Sequence, residues 1–308
     1  MSGNSLQSKI ASARGGVMLF SITPPKRANS PERVKEIAEI TVGRLADLDL
    51  DGLILYDIED ESDRNSDKRP FPYLPTLDPA SFHTDHLGDW DKPTIIYRCV
   101  GKYAENDLRT WLAGSSPDIL TVFVGSSSGT KPVQTSLRRA QQLHHEVSPA
   151  LPLGAVVIGE RHARHGDEHL RMLTKQERGC TFFISQVIYD LNETKNLVSD
   201  YFYACKDADI TPRPLIFTLS LCGSPKTLEF LDWLGVEVPP WLATELRESD
   251  DPLETSRREC LAIARDLKSY CERLGMPYGF NVESVSIRKA EIEASTELAR
   301  EIAALLRA

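Results

Sequence analysis

Several short stretches of this chain combine residue types and spacings that can do chemistry. Glu160-Arg-His162-Ala-Arg-His165-Gly-Asp-Glu168-His169 gathers carboxylates, guanidinium groups and imidazoles directly after an apolar run. His165 and His169 stand four apart, so on one helix they would share a face and could ligate a metal. The stretch lacks the glutamate position of an HExxH motif and no third ligand is evident elsewhere, so a solvated or anion-contacting cluster is expected and no metal centre. Gly125-Ser-Ser-Ser-Gly-Thr130 follows another apolar run and precedes Pro132. Its small residues permit close backbone approach, and its amide and hydroxyl donors can receive a phosphate or diphosphate. It is neither a GxGxxG fingerprint nor a Walker loop, and a plain flexible turn is the alternative. Gln186 closes a third apolar run; its amide can donate to and accept from a heterocycle edge, or bond the neighbouring loop instead.

These residues need elements to position them. Eight apolar, β-rich runs recur along the chain: Gly16–Ile22, Gly52–Tyr56, Thr94–Cys99, Ile119–Val124, Leu153–Ile158, Thr181–Gln186, Pro214–Leu219 and Tyr278–Val282. Between them lie segments with apolar residues at three- and four-residue spacing, such as Val34, Ile37, Ile40, Val42 and Leu45. Strand and helix in alternation predict βαβ units and a parallel sheet. Eight repeats in one chain predict an α/β fold, one (β/α)8 barrel over residues 1–308, with extra helices before the last strand. Two connections are longer than the rest. Asp57–Lys92 opens with charge and proline, is expected to overhang the face where barrel sites are built, and holds a short helix near Pro79–Leu87. Ser220–Pro277 has room for two or three helices, with Pro225, Pro239, Pro240 and Pro252 at their starts or breaks.

In a barrel the C-terminal strand ends converge. That adds Ser21, Thr23, Tyr56, Asp57, Glu59, Tyr97, Arg98, Ser220, Asn281 and Glu283 to the candidates.

Of 308 residues, 41% are hydrophobic and 26% charged, enough apolar surface for a large core. The formal charge of −9 argues against a surface built to neutralise nucleic-acid phosphates or anionic lipid. The longest apolar stretches, Gly16–Phe20 and Leu215–Leu219, fall far short of the ~20 residues that span a bilayer. Six cysteines without CxxC spacing, and a start that lacks an apolar signal core, lead to the expectation of reduced thiols in the cytoplasm.

Taken in order, the motifs resemble the methylenetetrahydrofolate reductases. The stretches that carry the resemblance are Phe20-Ser-Ile-Thr-Pro-Pro25, Glu160-Arg-His162, and Lys175 through Gly179-Cys-Thr-Phe-Phe-Ile-Ser-Gln186-Val-Ile-Tyr-Asp190. Further along, Gly235-Val-Glu-Val-Pro-Pro-Trp241, the arginine-bearing segment at Arg257–Cys260 and Gly275-Met-Pro-Tyr-Gly-Phe-Asn281 add to it. The shared order covers nearly the whole chain.

The resemblance implies a (β/α)8 barrel that passes a hydride from NADH or NADPH to a noncovalent flavin, usually FAD, and on to 5,10-methylenetetrahydrofolate. By position it implies that Gln186 contacts the folate pterin; Ser126, in place of the family's aspartate, and the strand-end Tyr56 are the other substrate-binding candidates. Gly125, His162, Glu168, Arg171 and Lys175 fall at positions implied to contact the cofactor. Association into a homo-oligomer or with a partner subunit is also implied.

Two departures stand out. Where the family carries a glutamate three residues before the double proline, this chain has Ser21, and where it reads Gly-Asp this chain reads Gly125-Ser126. Ser21 therefore occupies the position of the general acid, with Asp57, Glu59, Asp60 or Glu283 as acids on neighbouring strand ends that can stand in for it, Asp57 and Glu283 foremost. The alternative reading is a folate- or flavin-binding paralogue without reductase activity, or a diverted one-carbon enzyme.

Overall fold

A computed structural model describes residues 5–61, 67–125, 132–286 and 288–308. Eight parallel strands close on themselves in sequential order. They are Val17–Ile22 (β1), Gly52–Leu55 (β2), Thr94–Cys99 (β3), Ile119–Val124 (β4), Leu153–Val157 (β5), Cys180–Val187 (β6), Leu215–Ser220 (β7) and Tyr278–Glu283 (β8). Each expected run matches its strand to within one residue at either end. The helices are Leu6–Ala11 (α1), Pro31–Leu45 (α2), Pro79–His86 (α3), Glu105–Gly114 (α4), Leu137–Val147 (α5), Gly159–His165 (α6), Glu168–Glu177 (α7), Leu191–Asp207 (α8), Pro225–Trp233 (α9), Pro240–Glu248 (α10), Pro252–Leu274 (α11) and Lys289–Arg307 (α12). The fold is a (β/α)8 barrel, with α9, α10 and α11 filling the long connection before β8. Among the described residues no helix is long and apolar enough to cross a membrane, and all six cysteines are buried free thiols.

Local chemistry sets the helix ends. Ser30, Asp78, Ser224 and Asp251 accept backbone N–H bonds at the starts of α2, α3, α9 and α11, each with proline in the first turn. Gly275 ends α11 at φ +80°, a left-handed conformation that favours glycine.

Alternation along the strands separates two cores. One set faces the helices, among them Phe20, Leu53, Ile96, Phe123, Phe217 and Phe280. The other faces the barrel axis, including Val17, Leu19, Ile54, Leu120, Phe182 and Ile216. Leu6 and Ile10 of α1 join this inner set and plug the N-terminal end of the barrel. The inner face grades from apolar to polar toward the C-terminal ends: Val17, Leu19, Ser21 on β1; Phe182, Ile184, Gln186 on β6; Ile216, Thr218, Ser220 on β7; Gly279, Asn281, Glu283 on β8. That gradient makes one end a packed core and the other a polar mouth.

Gly279 belongs to the crowded layer, where a Cβ would lie 2.6 Å from the Val17 carbonyl oxygen and 2.7 Å from the Val17 Cβ. Gly279→Ala is expected to destabilise the fold by about 1–3 kcal/mol, read as a lower urea midpoint.

Candidate functional site

At the mouth, register decides which side chains meet. Ser21 pairs with Glu283 across β1 and β8, Ser220 pairs with Glu283 across β7 and β8, and Thr218 pairs with Asn281. A directed chain of hydrogen bonds follows. The Ser21 hydroxyl donates to Asn281 Oδ1 at 2.6 Å, and Asn281 Nδ2 donates to the Tyr56 oxygen at 3.3 Å and to Thr218 Oγ1 at 3.2 Å. The Tyr56 hydroxyl then donates to Glu283 Oε2. Tyr97 packs edge-on against Tyr56, with ring centroids 4.9 Å apart.

The path from Ser21 through Asn281 and Tyr56 runs toward Glu283, so its bonds reinforce one another in a low-dielectric setting. Burial raises the Glu283 carboxyl to about 7, against which the Tyr56 hydrogen bond pulls it down. The same burial, with Glu283 nearby, holds the Tyr56 and Tyr97 hydroxyls well above their usual range and keeps them protonated.

Gln186 reaches the opposite rim through an irregularity in β6. The register between β6 and β7 shifts between Ile184 and Val187, and the Ser185 hydroxyl accepts the Thr218 N–H at 2.9 Å in place of a ladder bond. Half-buried, Gln186 donates to the Leu234 carbonyl at 3.3 Å. It lines a shallow cleft with Gly159, Glu160, Tyr189, Asp190 and Glu237. Burial raises the Glu160 carboxyl above its ordinary value, partly offset by backbone N–H bonds. Another hollow, lined by Phe202, Lys206 and Ile210, lies at the N-terminal end of β7, away from the strand ends that build barrel sites.

Asp57 stands just past β2 and is turned away from the axis. Its carboxylate accepts the Cys99 N–H at 2.8 Å, the Tyr103 hydroxyl at 2.9 Å and the Lys102 ammonium. Tyr103 also bonds Asp78, which caps α3 and pairs with the buried Arg98. The group ties the connection after β2 to the barrel wall. Further along that connection, Arg69 lies over the Phe230 and Trp233 rings of α9, 5.4 and 5.1 Å from their centroids, which packs the segment on the helix that follows β7.

The charged residues implied to contact a flavin are each engaged by protein partners. Glu168 is fully buried, with Arg161 at 3.0 Å, Lys175 at 3.3 Å and the Ile158 N–H at 3.4 Å. Lys175 also donates to the Val156 carbonyl at 2.7 Å, and burial lowers its ammonium below the ordinary range even though Glu168 opposes the shift. Arg171 pairs with Asp167 at 3.2 Å. His162, 5% exposed, turns toward α8 and meets Asp200 at 3.1 Å. With His162 turned onto α8, and Glu168 and Lys175 onto β5, these three as placed do not fit a flavin held at the mouth. Gly125 is half-buried against Leu137; Ser126 and the rest of the small-residue turn through Thr130 lie outside the described residues.

The His165 and His169 pairing is corrected. Gly166, at φ +69°, ends α6 and α7 begins at Glu168, so the two histidines do not share a helix face. His169 instead packs against His162, with ring centroids 5.4 Å apart. Sequence reasoning placed Asn281 at a strand end without assigning it a role, and it missed Thr218 and Asp200. Thr218 was legible in principle as an inward alternate of β7, whereas Asp200 meets His162 only through packing of one helix on another.

No protein-family model matches the chain, and no curated protein does. Among solved structures, it is similar to an uncharacterized protein from Clostridium thermocellum that binds two copies of 5-methyl-5,6,7,8-tetrahydrofolic acid. The identity is 40%, over 97% of this chain and 99% of the other, with a TM-score of 0.87. It is also similar to the oxygenating constituent of 3,6-diketocamphane monooxygenase from Pseudomonas putida, in complex with FMN. There the identity is 11%, over 94% of this chain and 98% of the other, with a TM-score of 0.54, which speaks to the barrel fold alone. Identity at the first level over nearly the full length of both chains is shared ancestry, and this chain belongs to the family of the Clostridium thermocellum protein.

Proposed function

We propose that this protein binds a reduced folate across the mouth of its barrel, between Gln186 and Glu283, and reduces its one-carbon unit in the manner of a methylenetetrahydrofolate reductase. The observation that carries the folate reading is the 40% identity to a protein that binds 5-methyl-5,6,7,8-tetrahydrofolic acid. The mouth suits such a ligand. A pterin is flat and carries amide-like donors and acceptors along one edge, which the Gln186 amide can match from both its oxygen and its nitrogen. Glu160, whose carboxyl is raised by burial, stands in the same cleft.

Opening the imidazolidine ring of methylenetetrahydrofolate needs a proton. Ser21 occupies the position of the usual glutamate, but its hydroxyl is donated to Asn281. We assign the proton to Glu283, the β8 residue in register with Ser21. Its carboxyl, raised to about 7, is populated in both protonation states at neutral pH, which is what a general acid requires. Asp57 is assigned a structural part, because three donors already occupy its carboxylate. In the one-carbon reaction a reduced nicotinamide supplies the hydride, Glu283 the proton, and the products are the methyl-folate and the oxidised nicotinamide. No step is routed through FAD, since Glu168 is engaged with Arg161 and Lys175, and His162 with Asp200.

The test combines calorimetric titration with 5-methyltetrahydrofolate and an assay of NADH and NADPH oxidation in the presence of methylenetetrahydrofolate. Binding with turnover supports the whole reading, and binding without turnover leaves a folate-binding module. Absence of both overturns it. A flavin spectrum in the purified protein, bleached by NADH or NADPH, would restore the flavin route. Gln186→Ala is expected to weaken folate binding by about 10- to 100-fold, the cost of roughly 1–3 kcal/mol for a ligand edge left unpaired.

A further inference from the structure

Outside the barrel wall, α6, α7 and α8 bring His162, His169 and Asp200 together. One ligand atom from each lies within 4.8 Å of the other two. His162 Nε2 and Asp200 Oδ2 are already 3.1 Å apart, and the two imidazole rings are set edge to face. The Nδ1 atoms of His162 and His169 are both buried and have no hydrogen-bond partner. A buried imidazole nitrogen without a partner is costly, and the His169 Nδ1 can be satisfied by an ion that His162 and Asp200 take through Nε2 and Oδ2; the His162 Nδ1 points away from that ion. No residue of the mouth takes part in this cluster.

We propose that His162, His169 and Asp200 form a binding site for a divalent transition-metal ion, with zinc the best match. Two imidazoles and one carboxylate are borderline-soft donors of the kind zinc and its neighbours prefer, whereas calcium and magnesium favour all-oxygen shells. Bonds of about 2.0–2.2 Å set tetrahedral ligand atoms roughly 3.3–3.5 Å apart. His162 and Asp200 are close to that spacing, and a rotation of the His169 ring completes it. Asp200 is 52% exposed on its side chain, so the ion enters from solvent and water takes the open coordination position.

The ion clips α6 to α8. Alone, α6 has only seven residues, too short to persist without tertiary support, yet its first residues, Gly159 and Glu160, line the cleft with Gln186. The metal therefore braces one wall of the mouth from outside, without contacting whatever binds there.

The experiment uses the full chain stripped with chelator, then titrated with Zn2+ and with Co2+, whose visible spectrum reports coordination. One equivalent should bind saturably, raise the thermal midpoint, and be indifferent to a large excess of Mg2+. Asp200→Asn, at an exposed position that tolerates the change, and His169→Ala should each weaken uptake by at least about tenfold and abolish the rise in midpoint. His165→Ala should leave both unchanged. Absence of saturable uptake by the folded chain, or uptake unaltered in both Asp200→Asn and His169→Ala, overturns the proposal. Folate binding plays no part in the readout, so the two proposals fail independently.

Discussion

Glu283→Gln is expected to slow folate turnover by about 10²–10⁴-fold while leaving folate affinity nearly unchanged. The glutamine oxygen still accepts from Tyr56, so the chain from Ser21 through Asn281 keeps its direction. Only the transferable proton is lost. In the unsubstituted protein, with the carboxyl raised by burial to about 7, the protonated fraction falls as pH rises through that value, and the rate should fall with it. The variant should show no such limb.

Stability should move the other way. A carboxyl whose folded value lies above its unfolded one of about 4.3 contributes stability that is fully present below that lower value and is lost as pH rises through about 7. Glu283→Gln cannot ionise, so it should match the parent near pH 4 and exceed it at pH 8, by about 4 kcal/mol at most. Urea unfolding at both pH values checks this. A variant that turns over at the parental rate with the parental pH limb removes Glu283 from the chemistry.

The barrel was legible because parallel strands buried on both faces read as near-continuous apolar runs, and Gly-Leu-Ile-Leu at β2 or Thr-Ile-Ile-Tyr-Arg-Cys at β3 leaves little else to assign. Placement at the C-terminal strand ends also brought Ser21, Tyr56 and Glu283 forward as candidates. What the sequence did not carry is which of these touch. Ser21 and Asn281 are 260 residues apart, and only closure of β8 onto β1 makes them partners.

The residues His162, Glu168, Arg171 and Lys175 show the opposite limit. Glu168, Arg171 and Lys175 stand three and four apart on α7, with His162 on α6 before it, and such spacing does not say whether a face meets a ligand, a neighbouring helix or the strand that precedes it. Here Glu168 and Lys175 fold back onto β5 and His162 onto α8. The plug α1 went unread for a different reason. Six residues with two buried apolar side chains are too short for periodicity to register.

Glu168→Ala should destabilise the fold by about 3–5 kcal/mol, the usual cost of removing one partner from a buried ionic cluster. Glu168 is wholly inaccessible, and its carboxylate is the counter-charge for Lys175, whose side chain is 17% exposed, and for Arg161. Alanine would leave the Lys175 ammonium in surroundings that already disfavour its charge, and would free the Ile158 N–H at the end of β5. Lys175→Met in the same chain should recover much of the loss, because removing both charges of a buried pair is far cheaper than removing one. Urea unfolding of the two single variants and the double variant, in protein freed of small molecules, gives the coupling directly. A parental midpoint for Glu168→Ala, together with loss of a bound flavin, would instead return Glu168 to the cofactor role that its position along the chain implies.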